Sequence, residues 1–201
     1  MTAAEGTTGT ASGDGRLWEA FGFRLGPEPD GRVGLCAACR RLGHCRLGIT
    51  EERLDDDGHM HARLSCPVDQ DAGPGGVAHG GWVAAALDEI LGRTIVLHGH
   101  LAVTGTLTVR FVRPVPVERP LLGRAQVTGR EGRRWLVAGE LVLASTGAVL
   151  AIAEGTWVER DGTHYDRHRE WLAEQDRVTE AVGADPAGAD PTLSPGDPGV
   201  R

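Results

Sequence analysis

The chain has 201 residues, 40% of them hydrophobic and 24% charged, with 21 basic and 28 acidic side chains and a net charge of −7. This composition fits one globular domain with a sizeable core plus tails, and it argues against a nucleic-acid binder, which needs concentrated positive charge. No apolar run approaches the ~20 residues that span a bilayer, and the opening MTAAEGTTGTASGDG has neither the basic nor the apolar region of a secretory signal. The expected location is therefore cytoplasmic, with neither nucleic acid nor membrane as a partner.

In chain order, residues 1–15 are small, polar and Gly/Thr-rich and are expected to be a disordered tail. RLWEAFGFR, residues 16–24, suggests a short helix with Trp18, Phe21 and Phe23 packing on the body. RLGITEERL and HMHARLSCPV read as two strands joined by the acidic turn DDDG. WVAAALDEILGRTIVL, from Trp82 to Leu97, contains strong helix formers and follows two glycines. It is apolar on most sides, which marks a buried helix. Four strand-like stretches come next: AVTGTLTVRFVRP, LLGRAQVTGREG, RRWLVAGELVLAS and AVLAIAEGTWVE. HYDRHREWLAEQDRVTEAV predicts a terminal amphipathic helix with Tyr165, His168, Trp171, Leu172, Gln175 and Val178 on one stripe. From Gly183 the chain turns Pro-rich and is expected to be a second disordered tail, residues 183–201. The sum is an α+β domain over residues 16–182, one long helix with five or six antiparallel strands, closed by a helix over 164–182.

Chemistry concentrates in GPGGVAHGGWVAAALDE, residues 73–89. Glycine lets the backbone approach a ligand closely. A helix N-terminus offers free N–H groups and the positive end of a dipole, a place for a developing oxyanion. Asp88 is a carboxylate in an apolar helix, costly unless paired, and desolvation there would raise its pKa and suit it to act as a base. Other readings of the same residues stand beside these. The glycines serve equally as a tight strand-to-helix connection. Asp88 suits a structural ion pair with Arg93. Glu89 is an alternative carboxylate about 100° around the helix, and Thr104 is by default a β-branched strand residue.

His79-Gly80-Gly81, Asp88 nine residues after the histidine, AVTGTLTVRFVRPVPV, GREGRRWLVAGEL and GAVLAIAEGTWV occur in that order. The set resembles the hotdog-fold acyl-CoA thioesterases of the PaaI type, the 4-hydroxybenzoyl-CoA-thioesterase-like superfamily, across roughly residues 33–160. The resemblance implies a curved antiparallel sheet wrapped around the central helix. It also implies edge-to-edge pairing into a homodimer or homotetramer, with active sites at the dimer interface. It casts Asp88 as general base or nucleophile and Thr104 as a holder of the attacking water. The backbone around His79, Gly80 and Gly81 would polarise the thioester carbonyl. Gly155 and Thr156 match a segment near the pantetheine or nucleotide. The substrate would be an acyl-CoA or acyl-carrier-protein thioester, with coenzyme A as part of the substrate and no separate cofactor. Cations suit its phosphates, which makes Arg113, Arg133 and Arg134 candidates; solvated surface arginines are the alternative.

Two features depart from the family pattern. Gly73 stands where many relatives have an asparagine that binds the carbonyl or the water, and AGPGG resembles a branch with an EGPPG-like segment. The loss keeps open a non-hydrolytic module that binds an acyl thioester or an aromatic molecule, and another reaction on the fold such as enoyl hydration. The second departure is CAACRRLGHC. Cys36 and Cys39 supply half a zinc site that Cys45 or Cys66 would complete; the alternative is buried thiols used as small apolar residues. His59, His61, His98 and His100 read as loop and edge residues. Ala84, Ala85 and Ala86 leave room beside Asp88, which hints at a bulky or aromatic acyl group.

Overall fold

The computed structural model describes residue 28 and residues 30–73, 75–161 and 163–183. The expected helix over 16–24 and, Gly183 aside, both expected tails lie outside the described residues. Two compact units divide at Gly162 and Thr163. The first contains α1 (Ala37–Leu42), β1 (Ile49–Leu54), β2 (Met60–Ser65), α2 (Gly80–Leu97), β3 (Ala102–Phe111), β4 (Pro120–Glu131), β5 (Arg134–Leu143) and β6 (Val149–Glu159). The second contains α3 (Thr163–Gly183), whose Trp171, Leu172 and Val178 are exposed.

All six strands form one antiparallel sheet in the order β1-β2-β4-β5-β6-β3. Local chemistry makes the hairpins. At the β1–β2 turn the Asp55 carboxylate accepts from the Asp57 and His59 N–H groups, and Gly58 takes φ +80. Gly132, at φ 60, opens the two-residue turn between β4 and β5, a conformation that glycine adopts without steric cost. β3 and β6 pair across a long crossover that encloses β4 and β5, so β3 becomes the sheet's edge. This is the hotdog arrangement: α2 lies against the sheet, touching all six strands, with Leu87, Ile90, Leu91 and Ile95 fully buried. The helix begins two residues earlier than its apolar run, because Gly80 and Gly81 form its first turn and His79 is the N-cap.

Close helix-to-sheet contact requires glycine at two strand positions. A Cβ at Gly123 would lie 2.5 Å from the Ile90 side chain, and one at Gly139 would lie 2.5 Å from the Arg124 carbonyl oxygen and 2.8 Å from Leu91. A neighbouring β4 carbonyl cannot rotate away as a side chain can. Gly139→Ala is therefore expected to lower stability by about 1–3 kcal/mol, the cost of overpacking a well-filled core, read as a shift in the urea midpoint at unchanged slope.

Register shifts interrupt four of the five strand pairings, and those in β3 and β1 redirect polar side chains in a way that the alternation of residues does not announce. In β3 the register shifts between Thr104 and Thr106, with Gly105 as the extra residue. Beyond it Leu107 and Val109 pack on the core, and before it Ala102 does. Strict alternation would put Thr104 on the opposite face from Leu107 and Val109; the bulge places it on their face, toward α2. In β1 the shift between Ile49 and Glu51 turns Glu52, with Ile49, into the interior, where Glu52 is 1% exposed.

Candidate active site

The N-terminus of α2 is held by its own cap. The His79 N–H donates to the Gln70 carbonyl at 2.7 Å, the His79 Nδ1 accepts from the Gly81 N–H at 2.9 Å, and the Val83 N–H donates to the His79 carbonyl. This revises the expected donor set. Gly80 and Gly81 do not both present free N–H groups, because the imidazole takes the one on Gly81. A β-carbon on Gly81 would sit 2.8 Å from Nδ1, so the cap itself demands glycine there. The Gly80 N–H keeps its orientation out of the first turn, where an orphan donor meets solvent or ligand.

Two turns further on, the carboxylate Oδ1 of Asp88 accepts the Thr104 hydroxyl at 2.8 Å. The bulge at Gly105 makes this contact possible. Asp88 is half-buried rather than fully buried. It does not pair with Arg93, whose guanidinium is committed to Glu52, so the structural ion-pair reading is overturned. Glu89, the alternative carboxylate about 100° around the helix, lines the same cavity of about 910 Å³ as Asp88, together with His79, Gly81, Ala85 and the segment from Gly34 to Gly48. Burial pushes the Glu89 carboxyl above the usual range, against the lowering influence of Arg93. Of the three alanines expected to make room, only Ala85 lines this cavity; Ala86 is fully buried in the core. Trp82 also lines it, and its indole N–H is buried without a partner, an uncommon state for a polar group.

The other candidates do not converge on this cavity. Arg113 donates to the Val149 carbonyl at 2.6 Å and Arg133 to the Glu159 carbonyl at 2.9 Å. Those carbonyls mark opposite ends of β6, about 30 Å apart along a strand of that length, so one chain does not gather them around a single nucleotide. Arg134 is exposed beside Arg133. Gly155 and Thr156 lie opposite Leu107 and Thr106 on β3. A β-carbon at Gly155 would meet the Thr106 carbonyl at 2.4 Å and the Trp157 ring, which explains that glycine by packing. Gly73 is exposed, its N–H donates to the Asp71 carboxylate at 3.2 Å, and a β-carbon there would meet open space.

Cys36, Cys39 and Cys45 line the cavity, whereas Cys66 is buried elsewhere and directs its thiol to the Pro67 carbonyl. Among the described residues the four sulfurs do not meet at one point. Burial acts to raise the Cys39 thiol, but the Arg46 N–H, the Cys36 thiol and the Arg46 charge outweigh it and hold it below the ordinary value; burial pushes Cys45 up. The histidine pairs sit outside the cavity. His61 donates to Asp55, and chiefly through that bond the carboxyl is held at about 2. His98 bonds the Gly58 carbonyl, and His100 pairs with Glu159 against Trp135. Sequence reasoning missed Glu52, the Trp82 N–H and the capping role of His79; the isolated Gly105 inside a strand pattern was the available signal for the bulge.

The family model described as the thioesterase superfamily matches residues 75–149, a span that includes the α2 N-terminus, Asp88 and Thr104. The E. coli PaaI protein from the phenylacetic acid degradation operon superposes with a TM-score of 0.52 at 21% identity, covering 62% of this chain and 86% of that one. A hypothetical thioesterase from Streptococcus pneumoniae TIGR4, solved with coenzyme A, gives 0.50 at 17% identity, covering 55% and 85%. A thioesterase superfamily protein that is 29% identical gives 0.49, and the match covers 55% of each chain, so this chain spans about half the length of that relative. No described helix is long and apolar enough to cross a membrane.

Proposed function

We propose that this hotdog-fold chain, which matches the thioesterase superfamily across residues 75–149, hydrolyses an acyl thioester of coenzyme A or of an acyl carrier protein. The observation that carries the reading is the Asp88–Thr104 hydrogen bond on the helix whose capped N-terminus lies two turns earlier. Eight residues, about 12 Å of helix, separate Gly80 from Asp88, so in this reading the substrate carbonyl oxygen lies against the Gly80 N–H of a second copy of the chain, where the first turn of α2 stabilises negative charge. Thr104 directs its proton to Asp88, so toward a water its oxygen is an acceptor. Asp88 takes the proton as the water oxygen bonds to the carbonyl carbon. The tetrahedral intermediate then collapses, the C–S bond breaks, and the thiolate leaves and takes up the proton. The products are a carboxylic acid and a thiol. The unpartnered Trp82 N–H supports a ligand with an acceptor in the same cavity. Self-association through β3, whose outer edge has no strand partner in the sheet, completes the proposal, because an open edge is a ready pairing surface.

A screen of short, long and aromatic acyl-CoAs with a free-thiol assay tests the activity. Thermal stabilisation by every ester without thiol release would replace it with the non-hydrolytic binding reading that Gly73 motivates. Thr104→Val keeps the shape of the side chain and removes its donor. It is expected to lower kcat about 10- to 100-fold with KM little changed, the value of one hydrogen bond to a charged group realised in the transition state. Steady-state kinetics on the best ester of the screen reads this directly.

A further inference from the structure

We propose that Cys36 and Cys39 form a redox-active dithiol in the wall of the active-site cavity, one that closes to an internal disulfide by exchange with a low-molecular-weight disulfide. Both sulfur-bearing residues line the cavity that holds Asp88 and Glu89. Cys36 is half-buried and is the N-cap of α1, while Cys39 is the third residue of that helix and 6% exposed. Neither caps the helix with its side chain, and both are free thiols.

The local geometry prepares one sulfur to react. The Arg46 N–H points at the Cys39 Sγ at 3.4 Å, and the Cys36 thiol is its hydrogen-bond neighbour. Both stabilise a thiolate, the form that attacks disulfides. Side chains three residues apart on a helix lie about 5–6 Å apart at Cβ, and a disulfide needs about 3.5–4.5 Å. Closure therefore takes a small inward shift of Cys36, whose extended backbone (φ −65, ψ 165) lies outside the helix. The Cys39 thiolate attacks one sulfur of the small disulfide, breaking its S–S bond and releasing one thiolate, which takes up the proton lost from Cys39. Cys36 then loses its proton, attacks the Cys39 sulfur and expels the second thiol. Two protein thiols are oxidised and one disulfide is reduced to two thiols. Cys45 stays out of this exchange because it is buried in the core, and that burial pushes its thiol up despite the N–H groups of Leu47 and Ile49. A pair of thiols that line a binding cavity fits a transient, redox-sensing role better than a structural one.

The test does not depend on the hydrolase reading, because it counts thiols rather than turnover. The full chain is incubated with oxidised glutathione, quenched with acid, denatured, and assayed for thiols and intact mass. The expected result is loss of two of the four thiols, a mass lower by two hydrogens, a peptide map that joins Cys36 to Cys39, and full recovery with a reductant. Cys36→Ser is expected to stop at a stable glutathione adduct on Cys39, and Cys39→Ser to lose the fast reaction. Survival of all four thiols, or loss confined to Cys45 or Cys66, overturns the proposal.

Discussion

Asp88→Asn is expected to lower kcat for thioester hydrolysis at least ~100-fold while the protein stays folded, as follows for loss of a general base. The substitution is informative because the amide oxygen can still accept the Thr104 hydroxyl, which now bonds Oδ1 at 2.8 Å. Shape and the hydrogen bond persist; only the capacity to take a proton is lost. Glu89→Gln is the necessary companion, since Glu89 faces the same cavity and burial raises its carboxyl. Asp88 as the base requires that the first variant fail and the second retain most of its turnover. The reverse pattern would transfer the role to Glu89, and near-normal turnover in both would remove general-base catalysis from α2 altogether. Circular dichroism and the melting temperature of each variant separate lost chemistry from lost structure.

The sequence pattern reveals much of this arrangement, and where it fails the causes are physical. The apolar run from Trp82 announces α2, because a helix that touches every strand of the sheet must be greasy around most of its circumference. Turn glycines and the run of aspartates mark the hairpins. What alternation cannot reveal is a bulge, since one extra residue reverses the face of every residue beyond it. The bulge at Gly105 turns Thr104 toward Asp88, and the one in β1 buries Glu52, a residue that reads as solvated surface. The cap is hidden for a different reason. Histidine is not among the usual N-cap residues, and its ring nitrogen takes an N–H that the glycine pattern alone leaves open for substrate. The arginines fail as a group because strand length separates residues that charge alone would pool.

The largest stability effect is expected at the Glu52–Arg93 pair. Arg93 lies on α2 at 7% exposure and Glu52 on β1 at 1%. The guanidinium forks onto both carboxylate oxygens, with Nε 2.7 Å from Oε2, and Oε1 also accepts the Gly34 N–H at 2.9 Å. A β-carbon on Gly34 would lie 2.7 Å from Arg93 Nη2, so the segment leading to Cys36 lies directly over the pair. Removing one partner leaves the other charge buried and uncompensated, at a cost of about 3–5 kcal/mol. Glu52→Gln is expected to show that loss in urea unfolding, because the amide keeps the volume but not the charge. The double variant Glu52→Leu, Arg93→Met removes both charges together and is expected to recover most of it, since apolar residues of similar size replace buried ion pairs with little net cost. A double variant as unstable as Glu52→Gln would mean that the pair's hydrogen bonds to each other and to Gly34, rather than the stranded charge, hold β1, α2 and the cavity wall together.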